Sequence, residues 1–138
     1  MKSSIQQIGF VYNAQIPEAI ELCKSLIEAL KISNNSWSSS AELVREKEKE
    51  FTQTSLIIVL GGDGTILRSL RVLALHNIPM LSINLGRVGF MSELEVASAL
   101  GGIKKYINGD DSEHWLDERT MIDAEVFSKN DEKYAETF

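Results

Sequence analysis

Ser55-Leu56-Ile57-Ile58-Val59-Leu60-Gly61-Gly62-Asp63-Gly64-Thr65-Ile66-Leu67-Arg68 is the stretch that decides how this chain folds. Leu56 to Leu60 are continuously apolar and rich in β-branched side chains, the pattern of a strand buried on both faces in a parallel sheet. The run halts at Gly61-Gly62-Asp63-Gly64, and from Thr65 to His76 the residues Ile66, Leu67, Leu70, Leu73 and Ala74 recur at helical spacing. In an open α/β sheet, ligands sit beyond the carboxyl ends of the strands. Three glycines in four residues let the backbone approach a bulky anion with no Cβ in the way. The helix that follows aims its free N–H groups and positive dipole end at the same place. Asp63 stands ready for one of two jobs: accepting a proton from an attacking hydroxyl, or helping to hold a Mg²⁺ that bridges phosphates. Arg68, on the first turn of the helix, is within reach of a phosphate or a ribose. The plainer reading is a strand-to-helix turn with Asp63 as its N-cap.

Working outward, Ile5 to Val11 reads as a first strand, and Ala19, Ile20, Leu22, Cys23, Leu26, Ile27 and Leu30 as an amphipathic helix. Ser33 to Ser40 is a loop with room for a short strand around Trp37. Ala41 to Phe51, with its alternating charges, is expected to be a solvated helix. Met80 to Ile83 gives another short strand, ending at a second glycine-bearing turn from Gly86 to Phe90. Ser92-Glu93-Leu94-Glu95 has capping-box spacing and predicts a helix through Val96, Leu100, Ile103, Tyr106 and Ile107. Alternating strands and helices imply right-handed crossovers and an α/β fold, a three-layer Rossmann-like parallel sheet with helices on both faces. Arg119 to Phe127 instead alternates, with Thr120, Ile122, Ala124 and Val126 on its more apolar side, and predicts a half-buried strand of antiparallel type. The organisation expected is an α/β nucleotide-binding domain over 1–115 and a linker with the first strand of a β-rich domain over 116–138.

Composition narrows the function. A net charge of −6 argues against a nucleic-acid surface, which needs clustered Lys and Arg. No apolar run approaches the roughly 20 residues that cross a bilayer, and Met1-Lys2-Ser3-Ser4 opens no signal peptide. One cysteine, Cys23, suits a reducing cytoplasm and reads as a core residue. His76 and His114 have no His or Cys partner at zinc-ligand spacing. Trp37 and Trp115 read as packing residues. The common phosphate-loop motif is absent, and Leu67 takes the place of the third glycine of a dinucleotide fingerprint.

Leu60-Gly61-Gly62-Asp63-Gly64-Thr65-Ile66-Leu67 resembles a signature shared by NAD kinases, diacylglycerol-type lipid kinases and, more distantly, phosphofructokinases. A second block, Pro79-Met80-Leu81-Ser82-Ile83-Asn84-Leu85-Gly86-Arg87-Val88-Gly89-Phe90-Met91, is similar to the NAD kinase pattern alone. Trp115 to Ile122 resembles that family's passage from its nucleotide domain into a β-rich one. The resemblance implies transfer of the ATP γ-phosphate to the adenosine 2′-hydroxyl of NAD, with Mg²⁺ as the accompanying metal. It implies Asp63 as proton acceptor and Asp63-Gly64 as a pair touching NAD. It further implies Gly61 and Gly62 as room for phosphates, Arg68 as a basic contact, and Phe90 as the aromatic residue against adenine. Thr65, Leu67 and Gly86 complete the nucleotide-contacting set. Asn84 is expected to satisfy backbone groups in its own turn. A cytoplasmic homodimer or homotetramer acting on small nucleotides, without nucleic acid or membrane, is what such a family implies. The family's β-rich second domain, with its Asn-Glu pair, has no counterpart here, so the chain is expected to be a fragment with a lone strand at residues 119–127. Two other readings compete: a lipid kinase catalytic domain, and a non-catalytic nucleotide-binding module.

Overall fold

A computed structural model describes residues 6–87, 89–109, 115–130 and 133–137. Ile5, Val88 and His114 lie outside the described residues. Strand β1 is Gln7–Tyr12, helix α1 Pro17–Leu30, β2 Ser36–Ser40, β3 Thr54–Gly61 and α2 Asp63–Leu73. After these come β4 Met80–Asn84, β5 Leu94–Glu95, α3 Val96–Ile107, β6 Ala124–Phe127 and β7 Lys133–Thr137.

Strand β3 lies at the centre of a five-stranded sheet of order β2-β1-β3-β4-β5, parallel throughout. Its side chains serve two cores. Leu56, Ile58 and Leu60 pack with Ile8, Phe10, Ala19, Cys23, Leu26 and Ile103, beneath α1 and α3. Ile57 and Val59 pack on the opposite face with Val11, Trp37, Val44, Phe51, Ile66 and Leu73. From Leu56 to Leu60 no residue is more than 1% exposed. Each such side chain contributes about 1.5–3 kcal/mol relative to leaving it in water. The expected parallel sheet with helices on both faces is therefore present.

The Ser-rich segment does hold a strand. Trp37 is the buried anchor of β2, and its ring covers Gly9 so closely that a Cβ there would lie 2.3 Å from it. Its indole N–H donates to the Thr54 hydroxyl at 2.9 Å. The charged segment expected to be a solvated α-helix is a 3-10 helix, Val44–Gln53, with Val44 and Phe51 buried and the charges between them mostly outward.

Two local expectations fail for a tertiary reason. The capping box at Ser92–Glu95 does not form: Leu94 and Glu95 pair with Ile83 and Asn84 of β4, and no side chain caps α3. The strand expected over Arg119–Phe127 is confined to Ala124–Phe127, and all four residues are exposed. With every one of its residues open to solvent, no half-buried face develops. It is not alone either, because β7 pairs with it antiparallel after a turn at Lys129-Asn130. Trp115, expected to pack, is 85% exposed.

Candidate functional site

The chain crosses from β2 back over β1 to reach β3, so the connections out of β1 and β3 leave towards opposite sides of the sheet. That switch point is where a doubly wound sheet opens a crevice. An open cleft of about 280 Å³ lies there. Its walls come from the exit of β1 (Asn13, Gln15), the start of α2 (Gly62, Gly64, Thr65, Arg68) and the exit of β4 (Asn84, Gly86, Arg87).

The glycines act by what they lack. None in the turn adopts a left-handed backbone, since Gly109 is the one described glycine with positive φ. A Cβ at Gly62, Gly64 or Gly86 would meet nothing within 4 Å, so the cleft floor there is bare backbone. Gly61 differs. A Cβ on it would lie 2.4 Å from the Thr65 hydroxyl, so the space above Gly61 is filled by the buried Thr65 side chain. Helix α2 begins at Asp63, two residues earlier than its apolar spacing suggests, with Gly62 as an N-cap that provides no side-chain hydrogen bond. The N–H groups of Asp63 and Gly64 precede any intrahelical carbonyl and face an anion-compatible end.

Asp63 is therefore not an N-cap. Its Oδ2 accepts the Phe90 N–H at 2.9 Å and its Oδ1 the Met91 N–H at 3.2 Å. A Cβ at Gly89 would sit 2.3 Å from Oδ1, so only a glycine lets the loop approach this closely. A carboxylate offers about four acceptor positions, and two amide bonds leave one free on each oxygen. Phe90 itself is wholly exposed, which excludes a core role and leaves its ring face open to a planar group.

Arg68 lines the cleft while its guanidinium pairs with Glu42. The Glu42 carboxyl sits below its ordinary value, mainly through a hydrogen bond from its own backbone N–H, with Ser40 and Arg68 adding to the effect. Arg87, at the exit of β4, brings a second cation to the cleft. Asn84 donates to the Gly86 carbonyl at 3.4 Å, in keeping with a turn role, but its Oδ1 is buried with no hydrogen-bond partner. Leu67 is exposed on α2, away from the cleft wall.

The site thus has two flanks. Gly62, Gly64, Thr65, Arg68 and Gly86 gather in the cleft, whereas Asp63 and Phe90 meet on the loop side and Gly61 is packed beneath. The sequence reading missed Asn13, Gln15 and Arg87. Asn13 follows a strand exit, and the rule that ligands sit at such exits applies to β1 as much as to β3. Among the described residues no group of three His, Cys, Asp or Glu stands at metal-binding distance. No described helix is long and apolar enough to cross a membrane.

Comparison with known proteins gives this geometry a lineage. The family model of the ATP-NAD kinase N-terminal domain matches residues 21–111. An NAD kinase of Dehalococcoides mccartyi strain BAV1 is 40% identical over 123 residues, covering 87% of this chain and 42% of the relative. An NAD kinase of Heliobacterium modesticaldum is 35% identical over 127 residues, covering 86% and 44%. The chain thus spans less than half the length of these relatives. A solved structure described as a candidate diacylglycerol kinase from Bacillus anthracis str. Sterne superposes with a TM-score of 0.55 over 76% of this chain and 41% of that one, at 17% identity, a likeness of fold. With the family match running from α1 through α3, this chain belongs to the ATP-NAD kinase family.

Proposed function

We propose that this chain is the nucleotide-binding part of an ATP-dependent NAD kinase, a phosphotransferase that makes NADP from NAD. The observation that carries the reading is the meeting of the Asp63 carboxylate with the Phe90–Met91 amides beside a bare glycine turn. On this reading the triphosphate of ATP enters the cleft flank. The amides of Asp63 and Gly64 and the cations Arg68 and Arg87 meet its charge, with Gly62, Gly64 and Gly86 leaving it room. The adenosine of NAD takes the loop flank, its base against Phe90 and its 2′-hydroxyl at the free acceptor positions of Asp63. Thr65 supports this arrangement from below by packing on Gly61, while Leu67, exposed on α2, stands outside the cleft lining.

Phosphoryl transfer asks chiefly for positioning and charge neutralisation. Asp63, held by two amides, takes the hydroxyl proton as the new P–O bond forms and the P–O bond to ADP breaks. Mg²⁺ fits this donor set as a passenger on the triphosphate, because it keeps several waters and needs only one or two carboxylates. When bound it neutralises phosphate charge.

Residues 1–115 form the nucleotide-binding unit and 116–138 open a β-rich one, a division supported by the separate β6–β7 sheet. We assign the assembled enzyme to the cytoplasm, as a homodimer or homotetramer acting on NAD and ATP, on the strength of the family resemblance. The test is ATP-dependent formation of NADP, followed enzymatically. Formation that Asp63→Asn abolishes supports the kinase. Nucleotide binding without any turnover favours a binding module, a reading that the chain's share of its relatives' length invites. Phosphorylation of diacylglycerol in place of NAD overturns the proposal.

A further inference from the structure

A second carboxylate ties the end of the Phe90 loop to β4. Glu93 closes that loop just before β5. Its Oε2 accepts the Ser82 backbone N–H at 2.8 Å and faces the Ser82 hydroxyl as well. Its own N–H lies 3.2 Å from both the Ser82 carbonyl oxygen and the Ser82 Oγ. The Ser82 hydroxyl also reaches the Met91 carbonyl at 2.8 Å. Met91 is consequently held at both ends, its N–H by Asp63 and its carbonyl by Ser82. The β4–β5 ladder pairs Ile83↔Leu94 and Asn84↔Glu95; beyond it, at Ser82, the Glu93 N–H still reaches the carbonyl, while the Glu93 carboxylate replaces the backbone acceptor for the Ser82 N–H. Ser82 is buried, and its N–H would otherwise be left unpaired at the sheet edge.

We propose that Glu93, acting through Ser82, is a positioning residue for dinucleotide binding: it sets the Phe90–Met91 segment at the height where its amides reach Asp63. This rests on the functional reading above. Glu93 touches no cleft wall, and its effect is transmitted through the loop to the Phe90 face and to the free acceptor positions of Asp63. It therefore acts on NAD and not on ATP, whose phosphates meet the other flank.

The test combines amide hydrogen exchange with nucleotide titration on the intact chain. In Glu93→Ala, exchange at Phe90 and Met91 quickens at least about tenfold, as expected for loss of a hydrogen bond to a charged group, while β1 and β3 stay protected. NAD affinity falls by about tenfold more than ATP affinity. Glu93→Gln keeps an acceptor for the Ser82 N–H and restores most of the protection and of the NAD affinity. Unchanged exchange at Phe90 and Met91 overturns the proposal, as does equal weakening of NAD and ATP with protection lost across the sheet. Should Glu93→Ala fail to fold, Ser82→Ala carries the same expectation at Met91, and unaltered exchange there is the contrary result. A wild-type chain that binds no NAD sinks the functional reading, and the exchange arm alone then decides whether Glu93 sets the loop.

Discussion

Phe90 donates its backbone N–H to the Asp63 carboxylate at 2.9 Å across 27 residues of chain, and this bond joins the two glycine-bearing turns into one site. It couples the exposed ring to the proposed base, since moving either moves the other. Gly89 makes the approach possible. Gly89→Ala is therefore expected to push the carboxylate from the loop amides and lower NAD affinity by about tenfold, at the scale of one charge-assisted hydrogen bond. Isothermal titration checks this. Unchanged affinity would mean that the close approach carries no function.

Asp63→Asn removes more than a base. The amide side chain retains one acceptor oxygen, so one of the two loop bonds becomes an N–H facing an N–H. Turnover to NADP should fall at least about a hundredfold, while the KM for NAD rises by no more than about tenfold. Steady-state kinetics separate the two. A variant with a raised KM and near-normal kcat would make Asp63 a loop tether and nothing else.

Arg68 and Glu42 form an exposed pair, and such pairs contribute little to stability. Glu42→Ala should shift thermal unfolding negligibly, yet release the guanidinium to the cleft and tighten ATP binding severalfold. Arg68→Ala should weaken ATP by roughly threefold to tenfold, with the loss shrinking as salt rises. Titrations at two ionic strengths decide. An Arg68 effect on NAD but not ATP would reverse the assignment of the flanks.

The buried Cys23 thiol gives a pH signature. Burial pushes it up to about 11 from 9.0, against smaller opposing effects from a Ser38 hydrogen bond and the Lys24 charge. Between those values the unfolded thiol ionises while the folded one stays protonated. Its contribution is thus complete below pH 9.0 and is lost as pH climbs towards about 11. Urea unfolding of wild type and Cys23→Ala should show a stability difference that narrows over that window, by an amount on the order of 1–2 kcal/mol. A constant difference would contradict the buried, protonated thiol.

The reach of the sequence follows from which forces are local. Strand β3, the glycine turn and α2 were legible because periodicity and bare backbone are properties of neighbouring residues. Strand β2 was only glimpsed, since its serines carry no apolar alternation and Trp37 alone anchors it, over Gly9 on another strand. The capping box misled because ladder bonds from β4 take up Leu94 and Glu95, while Ser82 takes up Glu93. At the site, Asp63 could be singled out but not its partners, as nothing near it in sequence indicates the amides of Phe90 and Met91. Similarly, Arg87 reaches the cleft only because β4 runs parallel to β3 and ends at the same height.

The most direct test is an amide-resolved NMR titration of the chain with NAD and, separately, with ATP. NAD is expected to shift Gly89, Phe90 and Met91 most, and ATP to shift Gly62 to Thr65. NAD shifts that avoid the Phe90 loop altogether, or an Asp63 variant that leaves them unaltered, would contradict it.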